Sequence, residues 1–121
     1  MDIKRRGSRS VKIGSKSIGD RFPVLIQTMS GLRPTETDKI IKEINGLTAL
    51  GCDMIRVDVI DLNSAKALSV IKKNISIPLI ADLLFDEEVA VSAIKNGADK
   101  IRINPAKFDS KQLKRIINTA K

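Results

Sequence analysis

Two arginines stand where a buried strand would ordinarily carry Val or Ile. Arg56 lies in Gly51-Cys52-Asp53-Met54-Ile55-Arg56-Val57-Asp58, and Arg102 lies 46 positions later in Gly97-Ala98-Asp99-Lys100-Ile101-Arg102-Ile103-Asn104. A guanidinium is the side chain best suited to bidentate capture of a phosphate oxygen pair. A charge between apolar neighbours also needs a partner. That partner is either an anionic ligand or an internal acid such as Asp58 or Asp82, and the residues alone leave both open. Strand alternation puts Arg56 and Asp58 on one face, and Arg102 and Asn104 on one face.

Other chemistries are excluded by composition. The chain has no histidine, which removes His-based acid–base catalysis and His metal ligation together. Its one cysteine, Cys52, cannot form an internal disulfide or a multi-cysteine metal site. The position of Cys52, just before a strand, reads as a small buried filler, and Met29 reads as core. No Gly-rich phosphate loop and no Ser-centred nucleophile motif is present.

The elements that must position the arginines follow from periodicity. The first twenty residues are short and punctuated and read as a hairpin, with Ser10–Gly14 alternating and the turn at Ser15-Lys16-Ser17. Pro23 to Met29 reads as a buried strand. A helix is expected over 35–50, capped by Thr35, Thr37 or Asp38, with Ile40, Ile41, Ile44, Leu47 and Leu50 as its apolar stripe and Gly51 as its left-handed stop. The same grammar predicts strand 53–59, helix 63–74 with Leu68 and Ile71 inward, strand 79–82, helix 87–96 ended by Gly97, strand 100–104, and helix 110–120 capped by Asp109 or Ser110.

Strands alternating with helices imply a parallel sheet. Continuous apolar strands are expected when both sheet faces are covered. Units of about 23 residues are the rhythm of a (β/α)8 barrel, whose full form runs to about 250 residues. The expected architecture is therefore α/β: about four βα units of a TIM-type half-barrel over 23–121, preceded by a basic N-terminal hairpin over 1–22. In such folds chemistry gathers at the C-terminal strand ends. Here those ends are Gln27 to Ser30, then Arg56 and Asp58, then Asp82 and Asp86, then Arg102 and Asn104.

The net charge of +8 is unevenly spread. Residues 1–21 hold seven cations against two acids and residues 100–121 hold seven against one, whereas 22–99 carry eight against eleven. With three Phe and no Tyr or Trp, stacking platforms for nucleic acid are lacking, so that partner is disfavoured. No apolar run approaches the roughly 18 residues of a membrane span, and no secretory leader is visible. A cytoplasmic setting is the expectation.

Several segments resemble one family in order and spacing: Arg5-Arg6, Val11-Lys12-Ile13-Gly14, Ile18-Gly19-Asp20, Pro23 to Ser30 (PVLIQTMS), GCDMIRVDV, SIPLIADLLFD and NGADKIRINP. The resemblance is to hydroxymethylbutenyl diphosphate synthase, over about residues 5–105. It implies a TIM barrel followed by a domain holding a [4Fe–4S] cluster. It also implies reductive conversion of methylerythritol cyclodiphosphate in non-mevalonate isoprenoid synthesis, with ferredoxin or flavodoxin as electron donor and a homo-oligomeric assembly. Arg56 and Arg102 match the family's diphosphate-binding surface, and Asp82 and Asn104 match polar positions at the same mouth.

The chain departs from the family pattern at two places. Leu84 stands where the family has a substrate-facing histidine, and Asn104-Pro105-Ala106-Lys107 replaces Asn-Pro-Gly-Asn. Cluster ligands are not matched by Cys52. The expectation is a diphosphate-binding barrel portion that is inactive in isolation. The alternative is a non-catalytic half-barrel that binds an anionic metabolite or self-assembles.

Overall fold

The repeated Gly-x-Asp segments end helices in one way. The structure, a computed structural model, describes residues 4–121, so residues 1–3 of the expected N-terminal unit lie outside the described residues. Helix α1 (Thr37–Ala49) is followed by Gly51 at φ 100°, with Gly51 N–H donating to Thr48 O and Cys52 N–H to Leu47 O. Helix α3 (Glu87–Lys95) is followed by Gly97 at φ 107°, with Gly97 N–H donating to Ile94 O and Ala98 N–H to Ala93 O. Both are Schellman stops, which glycine permits because it has no Cβ.

Helix starts are equally explicit. Asp61 caps α2 (Leu62–Lys73) through Ser64 N–H, and Asp86 caps α3 through Glu88 and Val89 N–H. Asp109 and Gln112 form a capping box on α4 (Ser110–Ala120). The exception is α1: its N-cap is Glu36, with no side-chain cap bond, rather than Thr35, Thr37 or Asp38.

The strands form two sheets. β1 (Val11–Ile13) and β2 (Lys16–Ile18) make an antiparallel hairpin whose turn is Gly14-Ser15, so Lys16 and Ser17 belong to the strand. β3 (Gln27–Met29), β4 (Met54–Val59), β5 (Leu79–Leu83) and β6 (Lys100–Arg102) form a parallel sheet in chain order. Sequential order without reversal is barrel topology, not doubly wound topology.

All four helices pack on one face of this sheet. Ile55, Val57 and Val59 of β4 and Leu79, Ala81 and Leu83 of β5 meet Ile40 and Ile44 of α1, Leu68 and Ile71 of α2, Ala90 and Ala93 of α3, and Ile116 of α4. The expectation of two covered faces is therefore corrected. On the inner face a small cluster of Ile13, Met54 and Ile80, flanked by Ile18 and Leu25, is the buried apolar part. The hairpin supplies Ile13 and Ile18 and so closes the floor, at the N-terminal ends of the strands. Farther up, the inner face is polar.

The first long strand is also shorter than its apolar run suggests. Only Gln27–Met29 pairs, and Val24 and Ile26 are exposed. β3 is an edge strand with one neighbour, so Pro23 to Ile26 has little ladder to join. Strand 100–104 likewise ends at Arg102, because Asn104 turns to cap a 3-10 helix (Pro105–Lys107).

Candidate functional site

The Asp of each Gly-x-Asp segment builds the strand that follows it. Asp53 N–H donates to Ile26 O at 2.8 Å while its Oδ2 accepts from Ile26 N–H at 2.8 Å. Asp99 does the same with Leu79, at 2.8 and 2.9 Å. Each carboxylate also holds a lysine: Lys16 lies 3.6 Å from Asp53, and Lys72 bonds Asp99. The repeat thus aligns β4 on β3 and β6 on β5, which sets the positions of the two arginines.

Arg56 and Arg102 converge on one carboxylate. Asp82 lies on β5 between them, register-paired with Asp58 on one side and Arg102 on the other. Its Oδ1 accepts from Arg102 Nη1 at 3.0 Å, and its Oδ2 lies 3.6 Å from Arg56 Nε. Of the two partners open to the sequence, the internal acid is present, and it is Asp82; Asp58 faces the same side, exposed and without an ion pair among the described residues. One carboxylate between two guanidiniums leaves the array with one net positive charge.

The two arginines are not equivalent. Arg56 is the third residue of a six-residue strand, opposite Ile80, so it sits mid-strand and not at the strand end. Its side chain is 28% exposed, its Nη2 donates to Met29 Sδ at 3.1 Å, and its buried Nε has no hydrogen-bond acceptor. Arg102 is one row higher and 57% exposed. Its free guanidinium nitrogens are open to a ligand.

Around the array is a cleft of about 310 Å³, lined by Gln27, Arg56, Ile80, Lys100 and Arg102 among others. Lys100 did not figure among the expected site residues. It shares the inner face with Arg102 by simple alternation, and that two-residue period is the signal that would have found it. Asn104 stands beyond β6, and its Oδ1 accepts from Ala106 N–H at 3.1 Å, which leaves its amide N–H groups as donors. Leu84 is about half exposed beyond β5. It lines a separate cleft of about 210 Å³ with Ile60 and Phe85.

Cys52 is buried before β4, its thiol 3.0 Å from Met54 O. A [4Fe–4S] cluster is held by several cysteine thiolates. One cysteine facing a backbone carbonyl does not fit that need, and no cluster of three or more His, Cys, Asp or Glu suited to a metal occurs among the described residues. Among those residues no helix is long and apolar enough to cross a membrane.

Comparison with known proteins places the chain in a family. Proteins named 4-hydroxy-3-methylbut-2-en-1-yl diphosphate synthase (flavodoxin) are similar to the chain. The one from Caldanaerobacter subterraneus is 42% identical over 97% of this chain and 33% of its own length. Those from Thermotoga maritima and Fusobacterium nucleatum are 42% and 38% identical over 93% and 96% of this chain, each again over 33% of its own length. The chain thus spans about a third of the length of the curated relatives it matches. The GcpE TIM-barrel domain matches residues 8–121, and with the sequential parallel sheet this shows that the chain belongs to the GcpE TIM-barrel family.

Proposed function

We propose that this chain captures the substrate's diphosphate within a 4-hydroxy-3-methylbut-2-en-1-yl diphosphate synthase. The observation that carries the reading is the Arg56–Asp82–Arg102 array on the open inner face of the sheet. Asp82 holds the two guanidiniums in place while no ligand is bound, and a doubly charged phosphate group competes for their remaining donors. Arg102 makes the first contact because it is the more exposed. Arg56 follows from deeper in the sheet, and a phosphate oxygen near it would meet its unpaired donors. Lys100 adds a point charge, and the Asn104 amide supplies neutral donors. Asp82, freed in part, orients the polyol end.

In this reading the described part of the 1–22 unit, residues 4–22, serves as the floor and 23–121 as the substrate-holding unit. The family reaction is a reductive conversion of a cyclodiphosphate, with flavodoxin as donor and an iron–sulfur cluster as the electron-carrying group. The cluster would be held by residues other than those of this chain. Leu84 cannot transfer a proton at the position where the family pattern has histidine, so the 121 residues by themselves bind and do not turn over. In the whole enzyme a homo-oligomer would cover the mouth.

The test is titration calorimetry with pyrophosphate and with the cyclodiphosphate. Arg102→Ala and Arg56→Ala should each weaken binding about tenfold or more, as expected for loss of charge-assisted hydrogen bonds. Unchanged affinity in both variants would overturn the proposal.

A further inference from the structure

We propose a second anion site, on the floor side of the sheet, that takes a di- or triphosphate chain. It is the cleft of about 610 Å³ between residues 4–7 and Asp20-Arg21. Its lining holds four cations, Lys4, Arg5, Arg6 and Arg21, against one acid, Asp20. Elsewhere on the floor Lys16 and Lys72 are neutralised internally, by Asp53 and Asp99. None of these four cations has an acidic partner among the described residues.

The walls of the cleft are locked to each other before any ligand arrives. Arg5 Nη1 donates to Phe22 O at 2.7 Å, and Asp20 N–H donates to Ser8 Oγ at 2.9 Å. Phe22 N–H closes the turn onto Gly19 O at 3.0 Å. Gly19 sits at φ 84°, and a Cβ there would stand 2.2 Å from Arg9 O, so the two segments touch backbone to backbone. A fixed frame lowers the ordering cost of gripping a ligand.

The location separates this site from the mouth. The hairpin packs on Met54 and Ile80, and a Cβ on Gly14 of its turn would stand 2.9 Å from the Asp99 carboxylate, both at the N-terminal ends of the strands. Lys73 and Lys95 in the last turns of α2 and α3 add positive potential on that side. Three arginine forks suit phosphate oxygens. The lining has no aromatic ring to stack a base, so recognition is of the phosphate chain. Inorganic tripolyphosphate and a nucleoside triphosphate share that chemistry.

The experiment is calorimetry with tripolyphosphate on the chain carrying Arg102→Ala, which weakens the mouth about tenfold or more and leaves the floor cleft as the stronger site. That site should remain, and adding Arg6→Gln/Arg21→Gln should weaken it about tenfold or more, with unchanged circular dichroism. Lys111→Gln/Lys114→Gln on α4 removes the same charge elsewhere and should leave affinity within about twofold. ATP should bind as tripolyphosphate does. Equal weakening by the two double variants, no binding to the Arg102→Ala chain at millimolar ligand, or ATP binding more than tenfold tighter would each overturn the assignment. Failure of the mouth reading would look different: pyrophosphate affinity would then not respond to Arg102→Ala.

Discussion

Asp53 and Asp99 occupy the same place in the sequence repeat, yet their removal should cost different amounts. Asp99 has a side chain 14% exposed and accepts from the N–H of Leu79, a fully buried residue. Asp99→Ala strands that N–H in the interior and takes the partner from Lys72. A buried donor left unsatisfied costs about 1–3 kcal/mol. Lys72 is 35% exposed and can turn its ammonium to water, so its share is below about 1 kcal/mol. The expected total is about 2–3 kcal/mol. Asp53 is 27% exposed and accepts from Ile26 N–H, where Ile26 itself is 62% exposed. Water replaces the lost acceptor there, and Asp53→Ala should cost about 1 kcal/mol. Asp99→Asn keeps an acceptor for Leu79 and loses only the ion pair, so it should fall near 1 kcal/mol or below.

The assay is urea unfolding followed by far-UV circular dichroism. With m of about 1.5 kcal/mol/M, the Asp99→Ala midpoint should drop by about 1.3–2 M and that of Asp53→Ala by about 0.7 M, with m unchanged. If the two alanine variants lose the same stability to within about 0.5 kcal/mol, burial of the acceptor does not set the cost, and the reasoning fails.

Further outcomes follow from neighbouring features. Gly46 lies inside α1 with open space around its Cβ position, so Gly46→Ala should stabilise by about 0.5–1 kcal/mol in the same assay. Gly97 has φ 107° and a Cβ there would stand 3.2 Å from Lys72 Cγ, so Gly97→Ala should destabilise by about 1–3 kcal/mol. Ile13 is buried against Met54 and Ile80, and Ile13→Ala should cost about 2–4 kcal/mol and raise amide exchange across the hairpin before the main sheet. The Ser64 N–H holds the Asp61 carboxyl below its ordinary 3.8, and the Arg115 guanidinium holds Glu88 below 4.5. Both contributions are fully present above those values and are lost as pH falls past them through the lowered folded values. Asp61→Asn and Glu88→Gln should therefore flatten the acid limb of a stability–pH curve, and leave the curve between pH 6 and 8 unchanged in slope.

Much of the frame was legible because it is written in local rules. Gly51 and Gly97 mark helix stops that only a residue without a Cβ makes easily. Asp61, Asp86 and Asp109 mark helix starts through their own backbone bonds. Ile40, Ile41, Ile44 and Leu47 of α1 and Leu68 and Ile71 of α2 point inward as their spacing predicts, whereas Leu50, expected in the α1 stripe, is the C-cap and is 85% exposed. Local rules failed where a neighbour was missing. Pro23 to Ile26 is as apolar as a core strand but sits at a free edge, and apolar content does not say how many neighbours a strand has. Glu36 in place of a Thr or Asp at the start of α1 is a choice among adjacent residues that the sequence leaves nearly degenerate.

Spacing and alternation are enough to put two guanidiniums on parallel strands 46 residues apart, each sharing a face with a polar residue. Within these 121 residues no histidine and no second cysteine stands beside them. What they meet depends on how the strands are paired in the folded chain. Parallel pairing of β4, β5 and β6 puts Asp82 between Arg56 and Arg102, so the acid and the cations are brought together by register and not by proximity in the chain. It also placed Arg56 low and Arg102 high, and brought Lys100 to the same face. Helices on one side only leave that face open to solvent. The physical reason is that alternation fixes the face of each side chain within its own strand, while the offset between strands is set by long-range bonds such as those of Asp53 to Ile26 and Asp99 to Leu79.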